Sequence, residues 1–233
     1  FTQNDAVAIK QPVDATITGN TVTYNKAGIA IGGGATTITD NVITHNTEGG
    51  IYGQIANGVV TISNNQISDN SNTGVKITHQ DQGTVTATIS NNTIVRNGGA
   101  SYGGGIRGGS FMDMQGFTLN ITNNYIADNS AGTGGGIYIG NGRPTVNISY
   151  NRIHNNTATG GEGSALYVKD GENPDTYEYN TVTGGTGTSL IFVDNQADPT
   201  IRYNNFAHKS ETYLVYPPSD NPGYPDTISF ENN

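Results

Sequence analysis

Thr16-Ile17-Thr18-Gly19-Asn20-Thr21-Val22-Thr23-Tyr24-Asn25 decides the fold, because its pattern returns along most of the chain. The pattern is an apolar residue, two spacers, Asn, one spacer, an apolar residue, two spacers, Asn. It recurs at Ile38, Asn41, Ile43 and Asn46, and again at Ile62, Asn65, Ile67 and Asn70. Further copies begin at Ile89, Ile121 and Ile148, and looser ones at Tyr177 and Ile201. The first Asn of each copy stands at 20, 41, 65, 92, 124, 151, 180 and 204, giving spacings of 21, 24, 27, 32, 27, 29 and 24 residues. A repeat of that length means a solenoid, in which each unit buries its apolar face against its neighbours.

One unit reads as a coil of short strands. In Thr16-Ile17-Thr18 the alternation puts Ile17 inward and the threonines outward. Asn20 breaks the strand, since Asn tolerates turn conformations and bonds to nearby backbone. Val22 points inward again and Asn25 ends the second strand. A third strand follows a Gly-rich corner, as Gly28-Ile29-Ala30-Ile31, Gly74-Val75-Lys76-Ile77 or Gly136-Ile137-Tyr138-Ile139. Three short strands per rung predict an all-β, single-stranded parallel β-helix of about eight to nine rungs, spaced by about 4.8 Å. Asn20, Asn41, Asn65, Asn92, Asn124, Asn151, Asn180 and Asn204 are expected to form a structural ladder, each amide bonding to the next and to turn backbone.

Composition supports an ordered chain of one domain spanning residues 1–233. Its 33 glycines and 12% charged residues could suit disorder, but the apolar residues keep a regular register. A net charge of −9 argues against nucleic acid, whose phosphates demand concentrated Lys and Arg. No apolar run reaches the 18 or so residues of a membrane-spanning helix. With no Cys there is neither a disulfide framework nor thiolate chemistry. Abundant Thr, Asn and Gly with scarce Lys suit an extracellular or cell-surface protein. A start at Phe1 without Met, and the lack of recognisable polar caps at either end, read as a segment of a larger secreted protein with further domains.

The motif Ile-x-x-Asn-x-Ile-x-x-Asn followed by Gly-Ile-x-Ile resembles the right-handed parallel β-helix repeats of the pectate-lyase-like superfamily, over about residues 14 to 230. The resemblance implies the fold and offers a range of functions, from polysaccharide lyases and uronate epimerases to adhesins and proteins without catalysis. Fold alone does not choose among these.

Insertions point to one face. The longest lie within residues 98–117, on both sides of the third strand Gly105-Ile106-Arg107. Others are His79-Gln80-Asp81-Gln82-Gly83, Asn141-Gly142-Arg143-Pro144 and Lys169-Asp170-Gly171-Glu172-Asn173-Pro174. Solenoid insertions map to one face, commonly the binding face. The outward column of the third strands reads Ala30, Tyr52, Lys76, Arg107, Tyr138, Tyr167, with Ile191 next. Tyrosines offer rings and hydroxyls to sugars, while Lys76 and Arg107 suit a carboxylate or sulfate, Arg with bidentate geometry. Tyr52, Lys76, Arg107, Tyr138 and Tyr167 are therefore the candidate binding residues for an extended acidic polysaccharide. Stacked side chains protecting a sheet face would give the same column.

For catalysis, the resemblance implies an Arg or Lys base with calcium held by acidic residues. Arg107 or Lys76 would fill the base role, and Asp81 and Asp113 the metal role, with calcium optional for binding. The carboxylates are isolated, unlike the family's converging set. Asp69 and Asp128 share a repeat position two rungs apart, about 9–10 Å, but Arg96 stands between them, so a salt-linked surface column explains them better than a catalytic pair. His45, His79, His154 and His208 are too scattered for a metal cluster. The expected function is thus polysaccharide binding, as adhesin or accessory domain; the alternatives are a lyase or epimerase on uronate polymers, and a structural spacer.

Overall fold

The computed structural model describes residues 2, 6–11, 14–110, 116–140, 142, 144–169, 175–194, 199–207, 213–216 and 229–233. They form strands and turns, wound into a parallel solenoid with three faces. The first sheet has nine strands, from Val7–Gln11 and Ala27–Ile31 to Tyr213–Tyr216. The second also has nine, from Ala15–Thr18 to Ser229–Glu231. A third starts at Thr21–Thr23 and has ten strands, eight along its main path and two, Thr181–Thr186 and Asn205–Ala207, branching from Arg152–Ala158. Every pairing is parallel, each strand bonding to its equivalent in the neighbouring coils.

The alternation in the sequence explains the core. In the second sheet Ile38, Ile62, Ile89 and Ile121 are fully buried, and in register they pair one above the next. The third sheet stacks Ile43, Ile67, Ile94 and Ile126 in the same way. β-Branched side chains have few rotamers to lose and pack well on a pleated surface. One continuous apolar column therefore runs along the axis, a single core from Ile17 to Ile201 among the described residues.

The polar corner between the second and third sheets is made by two residues. The one before each ladder Asn adopts a left-handed backbone: Gly19, Asp40, Asn64, Asn91, Asn123, Tyr150, Tyr179 and Tyr203 all have φ between 54° and 67°. The Asn that follows is buried from Asn41 onward. Asn92 illustrates its bonding. Its Nδ2 donates to the Ile62 and Ser90 carbonyls at 2.9 and 3.0 Å and to Asn124 Oδ1 at 3.0 Å. Its Oδ1 accepts from the Asn65 backbone N–H and Nδ2 at 2.9 and 3.0 Å. Asn233 extends this ladder past Asn204. The second Asn of the motif makes a parallel ladder at the other end of the third-sheet strand, through Asn25, Asn46, Asn70, Asn97, Asn129 and Asn156.

Two expectations change. His79 does not open a loop: it ends the strand Val75–His79 and is wholly buried against Phe117, because its strand position alternates inward. The insertion at residues 98–103 is not irregular either. It contains the strand Ala100–Tyr102, which pairs with Ser130–Thr133, and that in turn with the far end of Arg152–Ala158. The longer coils thus gain a fourth strand beside the first sheet. Gly105, at the join, is required by space: a Cβ there would sit 2.6 Å from the Gly136 carbonyl oxygen and 2.9 Å from Ile126 Cγ2.

Candidate binding cleft

The added strand forms a wall over the outer face of the first sheet. The register on that face runs Lys10, Ala30, Tyr52, Lys76, Arg107, Tyr138, Tyr167 and Phe192. Ile191 is therefore not the next member of the column. It pairs with Leu166 and is buried in the core. The run Leu190-Ile191-Phe192-Val193 is apolar on both faces, so a one-residue shift, which exchanges the faces, leaves no trace in the pattern.

Aromatic rings line up along this column. Tyr102 from the wall packs on Tyr138 with ring centres 4.9 Å apart. Tyr138 stacks on Tyr167 at 5.2 Å, and Tyr167 on Phe192 at 4.9 Å. Tyr138 and Tyr167 are each only 7% exposed, so their faces are spent on one another rather than offered to solvent. The Tyr167 hydroxyl donates to Asp194 Oδ2 at 2.8 Å. Burial and that carboxylate together push its ionisation far above the ordinary range.

The two cations sit at the open end of the stack. Lys76 and Arg107 are register partners in adjacent strands. The Arg107 guanidinium lies between rings, 5.3 Å from the centre of Tyr102 and 5.9 Å from that of Tyr138. Lys76 Nζ lies 4.8 Å from the centre of the Tyr52 ring. Neither forms an ion pair among the described residues, although Lys26–Glu48, Arg96–Asp69 and Arg202–Glu178 do. Burial first, and the Arg107 charge second, lower the proton affinity of Lys76. Burial raises that of the Tyr52 hydroxyl, against the opposing pull of Arg107. Cations held on aromatic faces without a counter-ion keep their N–H donors available to an incoming anion.

Two hollows meet at these residues. A lobe of about 690 Å³ is lined by Ala30, Tyr52, Lys76, Tyr102, Arg107 and, at its rim, Glu48. A smaller one of about 240 Å³ shares Lys76, Tyr102 and Arg107 and adds Ser110, Tyr138 and Lys169. The larger volume is within the ordinary range for small-ligand sites.

Of the expected binding residues, Tyr52, Lys76, Arg107 and Tyr138 come together here, while Tyr167 lines neither lobe. Asp81 lines neither lobe and holds a turn, its Oδ1 accepting the Gln82 N–H at 2.8 Å. Asp113 lies outside the described residues. Among the described residues no three His, Asp or Glu side chains converge as a metal site would require. Asp69 and Arg96 form a bidentate surface pair at 2.7 and 2.8 Å. Tyr102 and Lys169 went unrecognised from sequence. Tyr102 lies in a Gly-rich insertion, and Lys169 lies two residues beyond the stripe, so neither belongs to the repeat.

The family model for the right handed beta helix region matches residues 5–173, and the chain belongs to that family. The coil is right-handed accordingly, and its likeness to the pectate-lyase-like superfamily is consistent with the match. No curated protein and no solved structure matches the chain.

Proposed function

We propose that this chain binds an extended acidic polysaccharide along the outer face of the first sheet, at the cell surface or outside the cell. It would act there as an adhesin or as the recognition part of a larger secreted enzyme. One observation carries the reading: Lys76 and Arg107 stand side by side in an aromatic-lined cleft, without a carboxylate partner among the described residues. In a chain with only ten Lys and Arg and a net charge of −9, two adjacent cations lining one hollow, where Glu48 is paired with Lys26, favour an anionic ligand. Lining tyrosines add apolar contact and hydroxyls suited to sugar rings.

The test is retention of the protein on immobilised uronate-containing and neutral polysaccharides. We expect retention on the acidic polymers that weakens with salt and is lost in Arg107→Ala. Equal behaviour on acidic and neutral polymers, or an unaffected Arg107→Ala variant, would sink the proposal.

A second reading, a lyase or epimerase acting on uronates, is favoured by the place of Lys76 beside Arg107 in the cleft and by its lowered proton affinity, the direction a general base requires. Incubation with uronate polymers, with calcium or with chelator, separates the two. Unsaturated chain ends or inverted uronates that disappear in Lys76→Met would establish catalysis; a bound but unaltered polymer would leave recognition alone.

A further inference from the structure

We propose that the smaller lobe is a pocket for a three-oxygen anion, a phosphate or sulfate ester carried by the glycan, with Lys169 as the residue that selects it. This rests on the reading of the cleft as a glycan site and goes beyond it in the chemistry of the group bound.

Three cations line this hollow of about 240 Å³: Lys76, Arg107 and Lys169. They are three of the ten basic residues in the whole chain. No carboxylate lines it among the described residues, and none of the three cations forms an ion pair there. Like charges gathered in a confined space repel. Lys76 and Arg107 are brought side by side by the strand register, but Lys169 comes from two coils beyond Arg107 and follows the strand Leu166–Val168.

The neutral groups narrow the choice of ligand. Thr78 Oγ1 already donates to the Gly53 carbonyl at 3.1 Å, and Ser110 Oγ to the His79 carbonyl at 3.2 Å. Their protons are committed to the protein. The other polar side chains lining the space are the three cations and the tyrosines Tyr102 and Tyr138, so charged donors dominate and the lobe is well suited to anionic oxygens. A carboxylate has two oxygens in one plane, which one guanidinium fork satisfies. A phosphate or sulfate ester has three terminal oxygens pointing in different directions, enough to engage Arg107 and both lysines together. The 690 Å³ lobe next door, sharing Lys76, Tyr102 and Arg107, would then hold the sugar that carries the ester.

Tyr138 floors the pocket and its position depends on a glycine. A Cβ at Gly140 would lie 2.8 Å from Tyr138 Cε1, so a side chain there presses on the ring. Gly140→Ala is thus a second variant, one that alters the lobe's shape without removing a charge.

The experiment measures binding of one glycan backbone in four forms: phosphorylated, sulfated, carboxylated and neutral. Wild-type protein is compared with Lys169→Gln and Gly140→Ala, with circular dichroism to confirm that each variant is folded. We expect an ester form to bind about tenfold more tightly than the carboxylated form. Lys169→Gln should abolish that preference, weakening the ester form far more than the carboxylated form, and Gly140→Ala should weaken the ester form selectively. Between pH 7 and 5 the affinity for a phosphate ester should drop, because its second ionisation lies near pH 6, whereas that for a sulfate ester should not; this separates the two sources. Equal affinity for ester and carboxylate, or an ester preference untouched by Lys169→Gln, overturns the pocket while leaving the acidic-glycan reading in place. Binding of inorganic phosphate or sulfate that depends on Lys169, with no binding of any polymer, overturns the glycan reading while leaving the pocket.

Discussion

Lys76 and Arg107 occupy paired positions on adjacent parallel strands, and both side chains line one open cleft. The Arg107 charge adds to burial in lowering the proton affinity of Lys76. Replacing Arg107 with Gln should raise the Lys76 pKa, but not to its ordinary value, because burial is the larger cause. Titration of the Lys76 amine by NMR in the two proteins checks this. An unchanged midpoint would show that solvent already screens the pair.

The Asn ladder should be strongest in the middle of the rod. Asn92 is buried, and Asn92→Ala strands the Asn65 donors as well as the Ile62 carbonyl that it had satisfied. We expect a loss of roughly 2–4 kcal/mol in denaturant unfolding. Among the described residues the Asn20 side chain, at the less buried end, only donates, to Thr18 and Asn41. Asn20→Ala should cost roughly 1 kcal/mol. Equal costs would mean that the ladder acts as separate turns instead of a connected column.

Asp175 gives the protein a built-in pH dependence. Its carboxyl is 2% exposed, accepts the Val146 N–H at 2.9 Å and the Tyr177 hydroxyl at 3.0 Å, and has its pKa raised by burial to about 7. The unfolded chain would release that proton near pH 3.9. Between these values the folded state holds a proton that the unfolded state has lost, so stability declines as pH rises. The contribution is fully present below about pH 4 and gone above about pH 7. Asp175→Asn keeps an acceptor but cannot ionise. Its unfolding midpoint should vary less between pH 4.5 and 8 than the wild type's, and exceed it at pH 8.

His79 is wholly buried, and neither ring nitrogen has a hydrogen-bond partner among the described residues. A buried polar group without a partner carries its desolvation cost uncompensated. His79→Leu should therefore stabilise the protein by about 1–2 kcal/mol, read as a higher denaturation midpoint. A lower midpoint would show that the imidazole is satisfied by solvent within the core.

Much of the coil was legible because it is local and repetitive. The alternation around Ile38, Ile62 and Ile89 marks the inward column, and the Asn at the end of each strand marks the corner. The second ladder, through Asn46 and Asn70, was equally visible as a repeated residue, yet position alone did not reveal that its amides bond from coil to coil. The cleft was legible in part. Tyr52, Lys76 and Arg107 follow from strand register, whereas Tyr102 reaches the site only because the 98–103 insertion forms a strand and folds back over the sheet. Tyr138 and Tyr167 look like an open platform in the sequence, but stacking along the axis covers their faces.

The sequence by itself determined the coil, since each strand pairs with its own copy one turn later and the apolar period dictates which side is buried. It also determined which residues share a column, except at Ile191, where an apolar run fits either face. Only the tertiary structure decided what the outer face becomes. Insertions carry no repeat to set their register, so their placement depends on contacts between coils. Those contacts raise the Tyr102 wall, bring Lys169 toward Arg107, and leave the cations without a carboxylate partner among the described residues. The fold is a property of the period, and the site a property of its interruptions.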